Sequence, residues 1–264
     1  VHAITTSEVS ASAKNRDTIG LALVGGLIAE SRSEDKVEAI ISEAVITAKG
    51  DLTLKGEGYT TSTAEAHMGG FIGGGKASVS KATAYIGDIE VTEIDPLLDP
   101  LVELFGEDTK EVTVNTPQTV NAYIDGSSVS AGGNAIISAI NKGTATADVK
   151  AGTVISGVSI SDTVLPTYAG YSTEASVKNG SSVTAGNNIT ITIDDDQTAT
   201  SVANSASIGF ALDATETYGS NFISTVSNII IDGALDAGAG VDATIDSDAT
   251  MTAKTMAVGG GFFE

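Results

Sequence analysis

The sequence predicts an all-β chain folded as a parallel β-solenoid, and three observations support this prediction. A short pattern of alternating apolar and polar residues recurs along the 264 residues. The apolar positions are mostly small or β-branched, which suits short strands packed across a thin interior. Gly and Asn follow many of these strands, and both residues tolerate the positive φ angles of tight corners. The pattern therefore indicates short strands joined by corners and stacked coil on coil.

The repeats are recognisable from a V-x-A motif that is followed by a second V-x-A motif several residues later. We align five copies, which begin at Val1, Val37, Val120, Thr173 and Val241. The third and fourth copies contain GSSVSAGGN and GSSVTAGNN, which differ at two of nine positions. If one coil takes about 20–25 residues, the chain has on the order of ten coils stacked about 4.8 Å apart.

Each copy continues with an alternating segment, then a strand rich in Ala, Thr and Ser, then a Gly-rich apolar element. Successive side chains of a strand point to opposite faces. We therefore predict that Ile189, Ile191 and Ile193 point inward, while Thr190 and Thr192 point outward. The residues expected to stack beside them are Ala135 and Ile137.

One segment, Glu93 to Glu111, has no counterpart in the other copies. Asp95 and Pro96 suit the start of a helix, and Gly106 suits its end. The apolar residues of one helical face would be Leu97, Leu98, Leu101, Val102 and Phe105. Pro100 leaves two short turns as an alternative. Both a helix laid over the solenoid flank and a partner-binding helix fit the pattern.

The predicted organisation is one continuous repeat domain interrupted by this insertion. Residues 1–92 and 113–264 form solenoid repeats, and residues 93–112 form the amphipathic helical insertion. The chain starts and stops within a repeat, so we expect it to be a fragment of a longer chain. No signal peptide is recognisable in residues 1–30, and we expect export signals to lie outside this sequence.

The composition argues against several classes of partner. The formal net charge of −21 repels phosphate backbones and anionic lipid headgroups, so we expect neither nucleic-acid binding nor membrane insertion. The chain has no Cys and only two His, His2 and His67, which is too few for a zinc site or a Cys/His nucleophile. The Gly-rich stretch ending at Lys76 lacks the phosphate-loop spacing, because Ala77 follows the Lys.

The densest acidic run is Asp194-Asp195-Asp196. We interpret it as a solvated turn at the end of a strand, with a low-affinity calcium site and a catalytic carboxylate pair as alternatives. The sequence therefore predicts no catalytic, cofactor-binding or metal-site residues and no cofactor, with weak calcium binding left as an alternative. We expect that the chain is not an enzyme.

The V-x-A and V-x-A-G-G-N motifs, followed by I-x-I segments and Gly-rich elements, resemble the filamentous-haemagglutinin-like and leukotoxin-type giant adhesins of diderm bacteria. The resemblance covers nearly the whole chain except residues 93–111. It implies a right-handed β-solenoid stem, export through an outer-membrane secretion partner, and an extracellular or cell-surface location.

We therefore expect a structural or adhesive rod segment of a large secreted surface protein. Its partners would be other copies of itself or host and matrix surfaces. Two alternatives remain open, a carbohydrate-active β-helix enzyme and a self-assembling extracellular filament subunit. The rival fold is a string of antiparallel β-sandwich domains, which usually have larger aromatic core residues than this chain supplies.

Overall fold

The chain winds through successive coils that pair with one another through parallel strands. The computed structural model describes residues 1–93, 110–152 and 154–261, and it is all-β over those ranges. Coil 1 spans residues 1–51, coil 2 spans 52–134, coil 3 spans 135–187, coil 4 spans 188–239, and coil 5 starts at Gly240. The described strands are β1 (His2–Lys14), β2 (Thr18–Ser33), β3 (Lys36–Ser42), β4 (Val45–Ala48), β5 (Leu52–Met68), β6 (Phe71–Ile86), β7 (Asp88–Glu93), β8 (Lys110–Thr116), β9 (Gln118–Asp125), β10 (Ser128–Ala131), β11 (Ala135–Ala151), β12 (Val154–Ala185), β13 (Asn188–Ala237) and β14 (Gly240–Gly261).

The register between coils is nearly constant. His2 pairs with Lys55, 53 residues later, and Ala135 pairs with Ile189, 54 residues later. The prediction of about 20–25 residues per coil and about ten coils is therefore wrong. One coil contains several alternating segments, so counting such segments overestimates the number of coils.

Coil 2 is longer than its neighbours because it contains an insertion. Leu52 pairs with Ala135, which lies 83 positions later. The additional residues leave the large sheet after Ile86, and the chain returns to it at Gln118. Within the insertion β7 and β8 form an antiparallel pair, with Ile89 opposite Val114. The predicted helix from Asp95 to Gly106 lies outside the described residues.

The pairing confirms part of the repeat alignment and corrects the rest. Val37 pairs with Val120, and Val120 pairs with Thr173, as the alignment predicts. The alignment of the copies beginning at Val1 and Val241 is wrong, because Val241 pairs with Ile189 and His2 pairs with Lys55, both in alternating segments. The V-x-A motif is too short to distinguish two kinds of strand that share the same alternation.

The interior contains two apolar clusters on either side of a polar layer. Ile189, Ile191 and Ile193 are buried in the first cluster together with Ala135 and Ile137, as predicted. The second cluster is mostly alanine and includes Tyr171, whose ring occupies the space beside Gly143. A Cβ atom built on Gly143 would lie 2.2 Å from the Tyr171 hydroxyl, so the glycine is needed for this packing.

The large sheet is parallel throughout the described residues, which contradicts the antiparallel sandwich alternative. Its strands close into a coil that is compatible with a β-solenoid. The described residues include no helix, and so none that is long and apolar enough to cross a membrane.

Candidate interaction surface

The outer face of β5, β11, β13 and β14 presents two adjacent rows of threonine side chains. Each row continues through four coils, because a T-x-T motif recurs in register from coil 2 to coil 5. The residue between the two threonines points inward, as the buried Ala145 and Ala199 show. We call these two rows the threonine face. The first row is Thr61, Thr144, Thr198 and Thr250, and the second row is Thr63, Thr146, Thr200 and Thr252.

The threonine face is a two-dimensional array of hydroxyl and methyl groups. Neighbouring coils are about 4.8 Å apart, and residues two apart along a strand are about 6.6 Å apart. Thr144 and Thr250 are exposed, and the other six side chains are half-buried. Each hydroxyl donates one hydrogen bond and accepts others, so the face offers a repeated set of polar contacts.

Charged columns border the threonine face on both sides. On one side Lys142 Nζ lies 3.2 Å from Asp194 Oδ2, and this hydrogen-bonded contact raises the pKa of the Lys142 ammonium group. On the other side Lys150 Nζ lies 2.7 Å from Asp148 Oδ2. Both lysines are more than a third exposed to solvent, so these pairs mark the edges of the face and contribute little to the stability of the fold.

A second surface feature is an apolar patch on β2, β6, β12 and β13. Ile19, Ile72, Ile155 and Ile208 pair in register from coil to coil, and Ile19 is 83% exposed. Further along the same strands, a shallow depression of about 300 Å³ is lined by Val24, Gly25, Gly26, Ala77, Ser78, Val79 and Ile160.

The acidic run Asp194-Asp195-Asp196 lies within β13, so its interpretation as a solvated turn is wrong. The alternation of the preceding isoleucines continues through it, and Asp195 therefore points inward and is 2% exposed. Burial raises the pKa of the Asp195 carboxyl, an effect opposed by hydrogen bonds from Ser227 and Thr173. Asp194 and Asp196 point outward from the strand.

Asp195 belongs to a hydrogen-bonded chain of side chains that crosses the interior between coils. Gln118 Nε2 donates to Asn141 Oδ1 at 3.1 Å, and Asn141 Nδ2 donates to Thr173 Oγ1 at 3.1 Å. Thr173 Oγ1 donates to Asp195 Oδ1 at 2.7 Å, and Ser227 Oγ donates to the other carboxylate oxygen. We call these five residues the interior polar chain. They account for the polar layer between the two apolar clusters.

The two histidines are far apart in the sheet and do not share a site. His2 Nε2 lies 3.2 Å from Glu57 Oε2, and His67 Nε2 lies 3.8 Å from Glu65 Oε2. Glu57 also contacts Lys55, whose hydrogen bond is the largest effect lowering the pKa of Glu57. Within the described ranges, no group of three or more His, Asp or Glu side chains is placed to hold a metal ion.

The Gly-rich stretch from Gly69 to Lys76 forms a corner and the start of β6. Gly69 is required by close packing, since a Cβ atom there would lie 2.3 Å from the backbone of Arg16. Lys76 points into the interior and is 3% exposed, which the sequence did not indicate.

The T-x-T motif is the sequence signal for the threonine face. The alignment of its copies into two rows can be recognised only when the true coil length is known.

The chain matches no known protein family, no curated protein and no solved structure. The interpretation of its function therefore depends on the repeats and on the geometry described above.

Proposed function

We propose that this chain is a segment of a structural and adhesive rod, folded as a right-handed β-solenoid. The rod would belong to a large secreted protein at the surface of a diderm bacterium, as the resemblance to giant adhesins implies. The observation that best supports the proposal is the threonine face, which repeats an outward-facing motif through four coils in constant register. Repetition of one surface motif along a stack is typical of extended binding surfaces in repeat proteins.

The pairing between coils also suits a segment that carries mechanical force. Each coil contacts its neighbours through continuous parallel ladders, such as the one between β11 and β13 from Ala135 to Lys150. Many backbone hydrogen bonds per coil must therefore break together before two coils separate. The net charge of −21 keeps the surface soluble and opposes nonspecific collapse of rods onto each other.

We propose that the threonine face binds a regular hydroxyl-rich surface, such as a matrix or host polysaccharide. The test is binding of the purified chain to immobilised polysaccharides, compared with the double variant T144K/T198K. Lysine at these outward positions interrupts both the hydroxyl row and its even spacing. We expect binding to fall at least tenfold while the unfolding midpoint changes little, because both side chains lie on the outer surface.

The control is T47K, which places one of these lysine charges on β4, away from the threonine face. It should bind as the unmodified chain does. Equal loss of binding in T47K and T144K/T198K would show that added charge alone weakens binding, and it would contradict an adhesive role for the threonine face.

The two rows favour ice as a second candidate ligand. Their spacings of about 4.8 Å and about 6.6 Å make a regular lattice of hydroxyl and methyl groups, and ice is a regular lattice of hydrogen-bonding water molecules. An ice-binding chain would inhibit ice recrystallisation at micromolar concentration, and T144K/T198K would not. Absence of inhibition by the unmodified chain would exclude this candidate.

The alternatives from other classes have separate tests. A carbohydrate-active enzyme would release products from a panel of acidic and neutral glycans, and any turnover would contradict the rod proposal as stated. A self-assembling filament subunit would show light scattering that grows with concentration. The edges available for such assembly include β1, β2, β3 and β4 of coil 1 and β14 of coil 5, each of which pairs with a single described strand.

A further inference from the structure

A small cavity lies inside the coil stack where β6, β12 and β13 meet. Its free volume for a water-sized sphere is about 10 Å³, which is room for about one water molecule or monatomic ion. Its lining is unusually rich in hydroxyl groups for an interior with so many alanines. The polar residues that line it include Lys76, Ser78, Ser80, Ser161, Thr163 and Ser205.

Lys76 is the one charged residue among those that line this cavity. It is 3% exposed, and no described carboxylate forms an ion pair with its ammonium group. A buried ammonium group without a counter-charge is costly, because desolvation is not compensated. The same desolvation lowers the pKa of Lys76.

Two hydroxyl groups near Lys76 also lack partners. Ser205 Oγ lines the cavity and is buried without a hydrogen bond to any described residue. Ser159, which pairs with Lys76 in the next coil, has a buried Oγ in the same condition. The cavity and its surroundings thus contain an ammonium group and hydroxyl donors, but no described anionic acceptor. A ligand in the cavity that accepts several hydrogen bonds and carries negative charge would compensate the Lys76 ammonium group and accept a hydrogen bond from Ser205.

We propose that this cavity binds one small monatomic anion, a halide such as chloride, held by the Lys76 ammonium group and the surrounding serine and threonine hydroxyls. The volume favours a halide over phosphate or sulfate, which need room for several oxygen atoms. The charge favours a halide over water, because water leaves the lysine uncompensated. The bound ion ties together three coils, since its polar lining residues come from β6 of coil 2, β12 of coil 3 and β13 of coil 4.

The test is thermal unfolding of the whole chain in sodium chloride and in sodium gluconate at equal ionic strength. Gluconate is too large for the cavity, so it controls for screening. A ligand that binds only the folded state raises its stability as ligand concentration increases. We expect the unfolding midpoint to rise more steeply with each tenfold increase in chloride than in gluconate, where only screening of the net charge acts. Bromide should act as chloride does.

K76M is the decisive variant, because it removes the charge and keeps a side chain of similar length. We expect its unfolding midpoint to be the same in chloride and in gluconate. K81M alters a lysine on the same strand that does not line the cavity, and it should keep the chloride response. If K76M does not fold, S205A provides the second test, and it should weaken the chloride response severalfold.

Three outcomes would overturn the proposal. The first is an equal response of the unmodified chain to chloride and gluconate, which would leave the cavity with water only. The second is a chloride response that persists in K76M. The third is a chloride response that K81M abolishes as fully as K76M does, which would show that the halide acts through the net charge of the strand and not through the cavity.

Discussion

Thr173 Oγ1 lies 2.7 Å from Asp195 Oδ1 inside the coil stack and donates a hydrogen bond to this buried carboxylate. Thr173 belongs to coil 3 and Asp195 to coil 4, so the contact joins neighbouring coils across the interior. Asn141 donates to the same threonine oxygen, which orients the hydroxyl hydrogen towards Asp195. The interior polar chain therefore links coils through side chains as well as through the backbone.

The first prediction concerns the substitution of Asp195. D195L leaves the buried Thr173 hydroxyl and the half-buried Ser227 hydroxyl without their acceptor, so we expect a loss of about 2–4 kcal/mol in the free energy of unfolding. D195N keeps one acceptor oxygen and should cost less than D195L at pH 7. Urea unfolding of both variants measures the difference. Equal costs would show that the hydrogen bonds of the carboxylate do not contribute.

The second prediction concerns pH. Burial raises the pKa of Asp195, so the folded state holds this proton at pH values where the unfolded chain has lost it. Between the ordinary aspartate pKa of about 3.9 and the raised pKa, stability due to this group therefore falls as pH increases. The free energy of unfolding of the unmodified chain, relative to D195N, should decline across that window. A difference that stays constant with pH would contradict the raised pKa.

The third prediction tests the inward assignment of the alternating segment. Ile191 is fully buried, whereas Thr192 is half-buried and contacts Ser138 on the outer face. I191D buries an unpaired carboxylate and should cost several kcal/mol, and T192D should cost less than about 1 kcal/mol. Thermal unfolding of the two variants measures this. Similar shifts of the unfolding midpoint would show that the alternation is wrongly assigned.

The alternation of the isoleucines could be predicted from sequence because period two is a local signal. The same alternation places Asp195 inward, but the charge of the run favours its interpretation as a turn. The partner that makes burial tolerable, Thr173, is 22 residues away, and no local pattern indicates it. The coil length could not be predicted for a related reason, since alternation marks strands and does not mark where a coil closes.

The fourth prediction concerns the space that Gly143 leaves for Tyr171. G143A places a methyl group against the buried phenol ring, and we expect it to cost about 1–3 kcal/mol through forced repacking. G25A is the matched control, because no atom lies within 4 Å of a Cβ built on Gly25. The double variant G143A/Y171L should recover part of the loss. Additive costs for G143A and Y171L would contradict direct contact.

Residues about 53 positions apart lie side by side in successive coils, and the whole coil stack depends on this register. Ser138 and Thr192 are paired in register, with their hydroxyl oxygens 3.1 Å apart on the outer face. The chain has no Cys, so S138C/T192C introduces one defined thiol pair. Dibromobimane, which bridges and fluoresces only with two thiols a few ångströms apart, should label S138C/T192C within the monomer and should not label S138C/T198C. Equal labelling of the two variants, or no labelling of S138C/T192C, would contradict the register and the coil stack derived from it.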